Sequence, residues 1–192
     1  RLFLSNIDGT PYLNQAKGTK FNLVGTNGVV HIINHVIPIP TQSLAQIIKN
    51  TPDFSLFWQA ARRAVSSDTR LRAILDDTLG RGPIDPTYTV FVPTNQAMIA
   101  AKLSQGEINV ASPANLARIV AYHIALSRYF STFLPNATLN MFDASYTTIV
   151  ENKANGIKVT GRGSPTPPAN VTKIDITATN GVIHIIDKVL IP

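Results

Sequence analysis

The stretch TNGVIHIIDKVL, residues 179–190, decides the fold because the chain carries it twice. The earlier copy, residues 26–37, reads TNGVVHIINHVI, and eight of the twelve positions are identical. The match extends upstream, where TKFNL at residues 19–23 corresponds to TKIDI at residues 172–176. The copies lie 153 residues apart, which is the length of one domain and far longer than a solenoid repeat. The repeat therefore predicts the closing segments of two successive units of one fold.

The repeat also predicts a domain boundary near residue 40. Residues 41–192 are predicted to form one complete unit, and residues 1–40 the C-terminal part of a preceding unit. So short a segment cannot enclose a core, yet the apolar side chains of residues 29–37 need burial. We expect this segment to dock on residues 41–192, or on a neighbouring chain as a homo-oligomer, or to have been covered by the rest of the first unit.

The composition is that of a globular protein, with 44% hydrophobic and 15% charged residues. The absence of cysteine excludes a disulfide framework, cysteine-ligated zinc and thiol catalysis. The formal charge of +6 is diffuse, and its densest stretch is Arg62–Arg63 with Arg70 and Arg72. A solvated basic face is favoured there over a footprint for polysaccharide, phospholipid or nucleic acid, because no run reaches about five like charges. No nucleic-acid partner is expected, since zinc-finger spacing and aromatic stacking signatures are both missing.

Helical periodicity dominates the first part of the complete unit. Helices are predicted to begin at Thr41, at Thr51–Pro52 and at Asp68, where capping residues or proline precede apolar residues at helical spacing. The glycine- and proline-rich residues 80–83 are predicted to end this helical run as a loop.

Strands dominate the second part. A β-branched and aromatic strand is predicted at residues 88–92, followed by helices that begin at Thr94 or Asn95 and at Ser112. Further strands are predicted at residues 138–142, 146–150, 156–160, 170–178 and 181–190. Helices followed by an antiparallel sheet indicate the α+β class.

Three segments resemble the signatures of the fasciclin domain family. TVFVPTNQAM at residues 89–98 is similar to the first family motif, and NGVIHIIDKVL at residues 180–190 is similar to the second. Tyr122–His123 matches the Tyr-His pair that stands between them. The resemblance covers about residues 41–192, and residues 1–40 match the C-terminal part again. It implies an α+β fold in which a twisted mixed β-sheet wedge lies beside a bundle of short α-helices.

The resemblance also carries expectations about function. Members of the family are secreted, lipid-anchored or membrane-tethered, often in tandem, and adhere to matrix, polysaccharide or partner proteins. We therefore expect a non-catalytic recognition module, extracellular or at the cell surface, or periplasmic or lipid-anchored in a bacterium. No catalytic residue, metal or cofactor is expected, and a membrane tether would lie outside this chain, which has no run of about 18 apolar residues. A structural spacer and an extracellular polymer-acting hydrolase are the alternatives.

Six residues of the family motifs are assigned structural roles. They are Thr94, Asn95, Asn180, Gly181, His184 and Asp187. Asn95 stands at a strand-to-helix junction, where we expect its side chain to bond open backbone groups in preference to a ligand. His184 lies among apolar strand residues. A buried, hydrogen-bonded histidine is favoured over a metal ligand or general base, because no second histidine or carboxylate lies at a chelating spacing.

Four residues are candidates for partner binding. Asp175–Ile176 matches the Asp-Ile element to which integrin binding is attributed in animal fasciclin proteins, and Tyr122–His123 is implicated in the same way. The alternative is structural, because strand alternation alone produces a solvent-facing aspartate beside a core isoleucine, and His123 ends an apolar helical stripe. The earlier copy carries Asn22–Leu23 at the place of Asp175–Ile176 and lacks the carboxylate.

Overall fold

The computed structural model describes residues 2, 4–7, 9–75, 87–162 and 167–192. Its first part is an antiparallel meander of four strands in sequence order. These strands are β1 (Leu4–Ile7), β2 (Thr10–Leu13), β3 (Ala16–Gly25) and β4 (Gly28–Ile33). The repeat predicted the β3–β4 hairpin but not the hairpin that precedes it.

Six short α-helices belong to the second part of the described chain. They are α1 (Leu44–Asn50), α2 (Ser55–Ala64), α3 (Arg72–Leu75), α4 (Asn95–Ala100), α5 (Gln105–Val110) and α6 (Pro113–Tyr122). Short 3-10 helices at Pro52–Phe54 and Thr69–Leu71 lead into α2 and α3. The predicted loop at residues 80–83 lies outside the described residues.

Side-chain caps determine where several of these helices begin. The Ser43 hydroxyl accepts a hydrogen bond from the Gln46 amide at 3.2 Å, and Gln46 Oε1 accepts one from the Ser43 amide at 2.9 Å. This capping box makes Ser43 the cap of α1, so the predicted cap at Thr41 is wrong, although the helix predicted at residues 43–49 differs from α1 by one residue at each end. Thr94 and Ser112 cap α4 and α6 as predicted.

The second sheet of the described chain has seven strands. They are β5 (Tyr88–Pro93), β6 (Ile124–Leu126), β7 (Ala137–Asn140), β8 (Thr147–Lys153), β9 (Gly156–Thr160), β10 (Ala169–Ala178) and β11 (Gly181–Ile186). Their order is β6-β5-β11-β10-β9-β8-β7. β5 and β11 are parallel and the other neighbours are antiparallel, so the sheet is mixed, as the family resemblance implied. The antiparallel sheet expected from the order of the elements is wrong at this one pairing. The predicted α+β class is confirmed.

Both faces of the central strands are covered, which explains the continuous apolar character of β5. Val90 and Val92 join the helices in one hydrophobic cluster, whereas Phe91 points into a second cluster on the opposite side of the sheet. Tyr122 and Val150 belong to that second cluster. Central strands enclosed on both faces lack the alternation of a half-exposed strand.

The two copies of the repeat form the same hairpin. In β3–β4 the paired residues include Gly18↔Ile33, Lys20↔Ile32 and Val24↔Val29, with irregularities on both sides of Lys20↔Ile32. The pairs of β10–β11 stand 153 positions later, including Val171↔Ile186, Lys173↔Ile185 and Thr177↔Val182, with irregularities at the same places. Even the positive φ recurs, 55° at Asn22 and 58° at Asp175.

The surroundings of the two hairpins differ. Val29 and Val30 are 53% and 58% exposed in β4, whereas Val182 and Ile183, their equivalents in β11, are fully buried. Residues 41–192 therefore do not bury these β4 side chains, and their burial by a neighbouring chain or by the rest of a first unit stays a prediction. The meander touches the second part through limited contacts, such as the bond from the Thr132 hydroxyl to the Asn14 carbonyl at 3.1 Å.

Candidate functional site

His184 occupies the middle of β11 and is completely buried. Its Nε2 lies 2.8 Å from the Tyr129 carbonyl oxygen, so Nε2–H donates, and its Nδ1 accepts from the Asp175 amide at 3.3 Å. The ring also stacks on Phe91, with centroids 5.7 Å apart. Burial lowers the pKa of His184, opposed by the bond to the Tyr129 carbonyl and by the charge of Asp175. A neutral imidazole whose two nitrogens are both hydrogen-bonded to the backbone fits a structural role.

Asp175 is held by the segment that follows β6. Its carboxylate accepts from the Ser131 amide at 2.7 Å and from the Ser131 hydroxyl. The φ of 58° places Asp175 in the left-handed region, where short polar residues are tolerated best. Ile176 packs against the helix-side core. The exposed residues at this bulge are Thr172, Lys173 and Ile174, the last of which is 47% exposed.

Sequence reasoning missed the segment that follows β6. Thr89 anchors it, because the Thr89 hydroxyl donates to the Ser127 carbonyl at 2.9 Å and accepts from the Tyr129 amide at 2.8 Å. Tyr129 and Ser131 then bond to His184 and Asp175. No local signal marks loop residues whose partners lie on distant strands.

Tyr122 and His123 are both fully buried at the end of α6. The Tyr122 hydroxyl donates to the Thr147 carbonyl at 2.7 Å and accepts from the Arg162 amide at 2.6 Å. His123 Nδ1–H donates to the Ile119 carbonyl at 2.8 Å, and Nε2 accepts from the Leu190 amide at 3.0 Å. The pair thus joins α6 to three separate parts of the unit.

The burial of His123 predicts a specific loss of stability in acid. Burial lowers the pKa of His123 from 6.5 to about 4, although the bond to Ile119 opposes the shift. Between these two pH values His123 binds a proton in the unfolded chain but not in the folded chain. The free energy of unfolding therefore falls as the pH drops from 6.5 towards 4. The full loss is on the order of 3 kcal/mol.

His123→Gln tests this expectation, since a glutamine amide offers a donor and an acceptor but does not titrate. Urea unfolding, followed by the fluorescence of Trp58, should show a shallower dependence on pH for His123→Gln than for the unchanged chain. His35→Gln is the matched control because His35 is exposed. An unchanged pH slope in His123→Gln would contradict the assignment.

Asn95 ties the start of α4 to the start of α2. Its Oδ1 accepts from the Leu56 amide at 3.0 Å, and its Nδ2 donates to the Pro52 carbonyl and the Ser55 hydroxyl, each at 3.0 Å. Thr94 accepts from the Ala97 amide at 3.2 Å and caps α4. The geometry agrees with the predicted structural interpretation of Asn95.

Asn180 and Gly181 form the turn that opens β11. Asn180 Oδ1 accepts from the Leu44 amide at 2.9 Å, and its carbonyl accepts from the Tyr88 amide at 3.1 Å. A Cβ atom at Gly181 would lie 2.3 Å from the Tyr88 carbonyl oxygen, so only glycine fits without movement. This turn joins α1, β5 and β11.

Asp187 forms hydrogen bonds at the end of the β10–β11 hairpin that lies opposite its turn. Its two carboxylate oxygens accept from the Asn170 amide and from Asn170 Nδ2, both at 2.7 Å. In the earlier copy, Asn34 Oδ1 accepts from the Lys17 amide at 2.8 Å. Asn34 therefore accepts the same backbone hydrogen bond as Asp187 does at the equivalent place.

The structure distributes the predicted residues over the unit and does not collect them into one cleft. Among the described residues, no hydrogen bond or ring contact joins Asp175–Ile176 to Tyr122–His123. Partner binding by these four residues stays a prediction. Within the same part of the chain, no three histidine, aspartate or glutamate side chains are placed to share a metal ion.

Two residues of the basic stretch are bonded within the protein. Arg62 and Arg72 are exposed, Arg63 donates to the Ala111 carbonyl at 3.0 Å, and Arg70 pairs with Asp68 at 2.7 Å. In the described chain, no helix is long and apolar enough to cross a membrane.

Comparisons with known proteins agree with this architecture. The family model for the fasciclin domain matches residues 53–192. Human periostin is 32% identical over 198 residues that cover the whole of this chain but 21% of periostin. The transforming growth factor-beta-induced protein ig-h3 of Sus scrofa is 30% identical, covering 96% of this chain and 24% of that protein. The chain thus spans less than a quarter of the length of either relative.

A solved structure matches the chain from end to end. It is the FAS1 domain pair from the insect cell adhesion molecule Fasciclin I, with a TM-score of 0.61 at 20% identity, and the match covers 100% of this chain and 67% of that one. At this identity the match shows the fold alone.

Proposed function

The chain belongs to the fasciclin domain family, and from that premise we propose that it is a non-catalytic adhesion or recognition module that works outside the cell. Fasciclin I, whose domain pair has this fold, is described as a cell adhesion molecule. The proposed partner is an extracellular protein, with polysaccharide as the second class. Nucleic acid is not proposed as a partner.

This proposal rests on the structural role of the motif side chains, which form hydrogen bonds within the fold. Asn95, Tyr122, His123 and His184 each bond to backbone groups of other segments. Both ring nitrogens of each of these histidines are occupied, so neither ring is free to accept a proton from a substrate. Function then depends on the outer surface, and the hydrolase alternative gains no support.

The domain organisation is part of the proposal. Residues 41–192 form a complete fasciclin unit, and residues 1–40 are the C-terminal part of a preceding one. The shared hairpin register supports this division, because two unrelated hairpins would not repeat both irregularities and the left-handed residue. A tandem arrangement would add avidity to a weak surface contact.

We place the contact surface at the bulge of β10. Lys173 and Ile174 are exposed side by side, and Asp175 fixes the backbone that presents them. A cation beside an apolar side chain fits an acidic surface with apolar residues on a protein partner. Asp175 and Ile176 then act on binding by shaping the bulge, and Tyr122–His123 by stabilising the unit that carries it.

A cell-retention assay tests this function. Wells coated with the chain should retain detached fibroblasts at low salt, and the double variant Lys173→Ser, Ile174→Ser should retain several-fold fewer. The matched control changes Lys20→Ser and Phe21→Ser, the equivalent residues of the earlier hairpin, and should behave like the unchanged chain. Retention of the chain on heparin-agarose tests an anionic polysaccharide as the partner.

Each outcome of the assay bears on the proposal. Retention on heparin without cell retention would indicate an anionic polysaccharide as the partner in place of a protein. Equal cell retention by both double variants would remove the bulge from the contact. If the unchanged chain retained neither cells nor heparin, the spacer alternative would replace the adhesion function.

A further inference from the structure

Two hairpins of the seven-stranded sheet turn at the same dipeptide, asparagine followed by glycine. Asn155–Gly156 joins β8 to β9, and Asn180–Gly181 joins β10 to β11. Each turn has two residues, because Lys153 is paired with Gly156 and Ala178 is paired with Gly181. The asparagine is the second turn residue in both hairpins, so the surroundings of the two dipeptides can be compared directly.

The turn at Asn155 is open to solvent. Residues 153–156 are all exposed. A Cβ atom at Gly156 would meet nothing within 4 Å, and the φ of 122° at this residue is one that glycine adopts without strain. In the described part of the chain, no group forms a hydrogen bond with the Asn155 side chain. Nothing therefore holds the side-chain amide of Asn155 away from the backbone nitrogen of Gly156.

The turn at Asn180 is packed against two other elements. Asn180 Oδ1 accepts a hydrogen bond from the Leu44 amide at 2.9 Å, and the Asn180 carbonyl accepts one from the Tyr88 amide at 3.1 Å. Gly181 is buried, and the Tyr88 carbonyl oxygen leaves no space beside it for a Cβ atom. The Asn180 side chain therefore cannot turn towards the Gly181 nitrogen unless the turn opens and its bond to Leu44 breaks.

We propose that Asn155–Gly156 is a site of spontaneous covalent modification, at which asparagine is converted to isoaspartate and aspartate, whereas the fold protects Asn180–Gly181. The backbone nitrogen of Gly156 forms a bond to Asn155 Cγ, and its proton leaves with the side-chain amide as ammonia. Glycine favours this attack because it has no side chain to shield the nitrogen. Water then opens the cyclic imide. Cleavage of the new Cγ–N bond gives aspartate, and cleavage of the original peptide bond gives isoaspartate.

The products differ from asparagine in charge and in the path of the main chain. Each event adds one carboxylate at the tip of the β8–β9 hairpin, where Lys153 pairs with Glu151 at 2.7 Å, and lowers the formal charge of +6 by one. In isoaspartate the main chain passes through an additional methylene group, which an exposed turn accommodates. The surface of the chain therefore changes with time at this tip without the action of an enzyme.

Peptide mapping of the full folded chain, kept at mildly alkaline pH and body temperature, tests the proposal. Trypsin releases the two asparagines in separate peptides, ANGIK at residues 154–158 and IDITATNGVIHIIDK at residues 174–188, and Asn27–Gly28 lies in a third. Mass spectrometry measures the conversion of amide to acid, and methylation by an isoaspartyl methyltransferase identifies isoaspartate. Asn155 should convert at least about tenfold faster than Asn180, because the packed turn must first open.

The same chain in concentrated urea is the matched control. Unfolding removes the packing around Asn180, so the two peptides should then convert at similar rates. The variant Asn155→Gln, whose longer side chain disfavours ring closure, should yield no isoaspartate at residues 154–158. Equal conversion of Asn155 and Asn180 in the folded chain would overturn the proposal, and so would conversion of Asn155 in urea alone. The cell-retention assay tests the bulge of β10, so its outcome is independent of this one.

Discussion

Gly181→Ala is expected to destabilise the complete unit by about 3 kcal/mol, whereas Gly28→Ala should change its stability by less than about 0.5 kcal/mol. The two glycines occupy the same position in the two hairpins. A Cβ atom at Gly181 would lie 2.3 Å from the Tyr88 carbonyl oxygen and 2.7 Å from Leu44 Cδ1. A Cβ atom at Gly28 would meet nothing within 4 Å.

The atom nearest to a Cβ at Gly181 is the backbone carbonyl oxygen of Tyr88, which explains the size of the expected destabilisation. The Tyr88 amide is bonded to the Asn180 carbonyl and β5 is paired to β11, so Tyr88 cannot withdraw without breaking the ladder. Leu44 is fully buried and has little room to yield.

Urea unfolding followed by Trp58 fluorescence provides the measurement. Trp58 is the one tryptophan of the chain and lies in α2, so its signal reports the complete unit. Gly181→Ala should lower the midpoint strongly with little change in slope, and Gly28→Ala should leave both unchanged. Similar midpoints for the two variants would mean that the turn at residue 181 is not packed against β5.

The repeat made much of the second hairpin predictable. A duplicated pattern of apolar residues around Asn-Gly is a local signal, and it located β3, β4, β10 and β11 with small errors at their ends. The family resemblance implied a mixed sheet, but the parallel pairing of β5 with β11 was not predicted, because no local pattern tells a strand which neighbour it will have. The three-residue β6 is too short to show a period.

Capping signals explain the errors among the helices. Ser43 and Thr41 are both good caps, and the glutamine at 46 decides between them by completing the box from Ser43. The helix α5 was missed although Ser104 and Glu107 form a capping box of the same kind. Attention to the spacing from serine to a glutamine or glutamate three residues later would have corrected both.

The candidate site was predictable only in part, since its polar residues act through distant partners. The apolar neighbours of His184 indicated burial correctly. Sequence spacing could not reveal that Ser131 would hold the carboxylate of Asp175, because the two lie 44 residues apart and Ser131 is in a loop. A solvent-facing Asp175 was expected from alternation, but the irregularities of β10 interrupt alternation there.

His184→Ala is expected to destabilise the complete unit by about 4 kcal/mol, and His31→Ala by less than about 0.5 kcal/mol. Removal of the buried ring leaves a cavity beside Phe91 and orphans the Tyr129 carbonyl and the Asp175 amide. His31 is exposed, accepts from the Asn22 amide and contacts the ring of Phe21, so its loss uncovers nothing that water cannot reach.

The variant His184→Gln distinguishes the contribution of the hydrogen bonds to stability from that of the side-chain volume. A glutamine amide donates and accepts and fills part of the space, so it should recover about half of the loss seen with alanine if the bonds to Tyr129 and Asp175 matter. Trp58 fluorescence in urea measures the two His184 variants on the unit that contains Trp58, and His31→Ala, which lies outside that unit, should leave this signal unchanged. Equal losses for His184→Ala and His184→Gln would assign the role to ring packing on Phe91 alone. An unfolding midpoint for His184→Ala as high as that for His31→Ala would contradict the burial of His184 against Phe91.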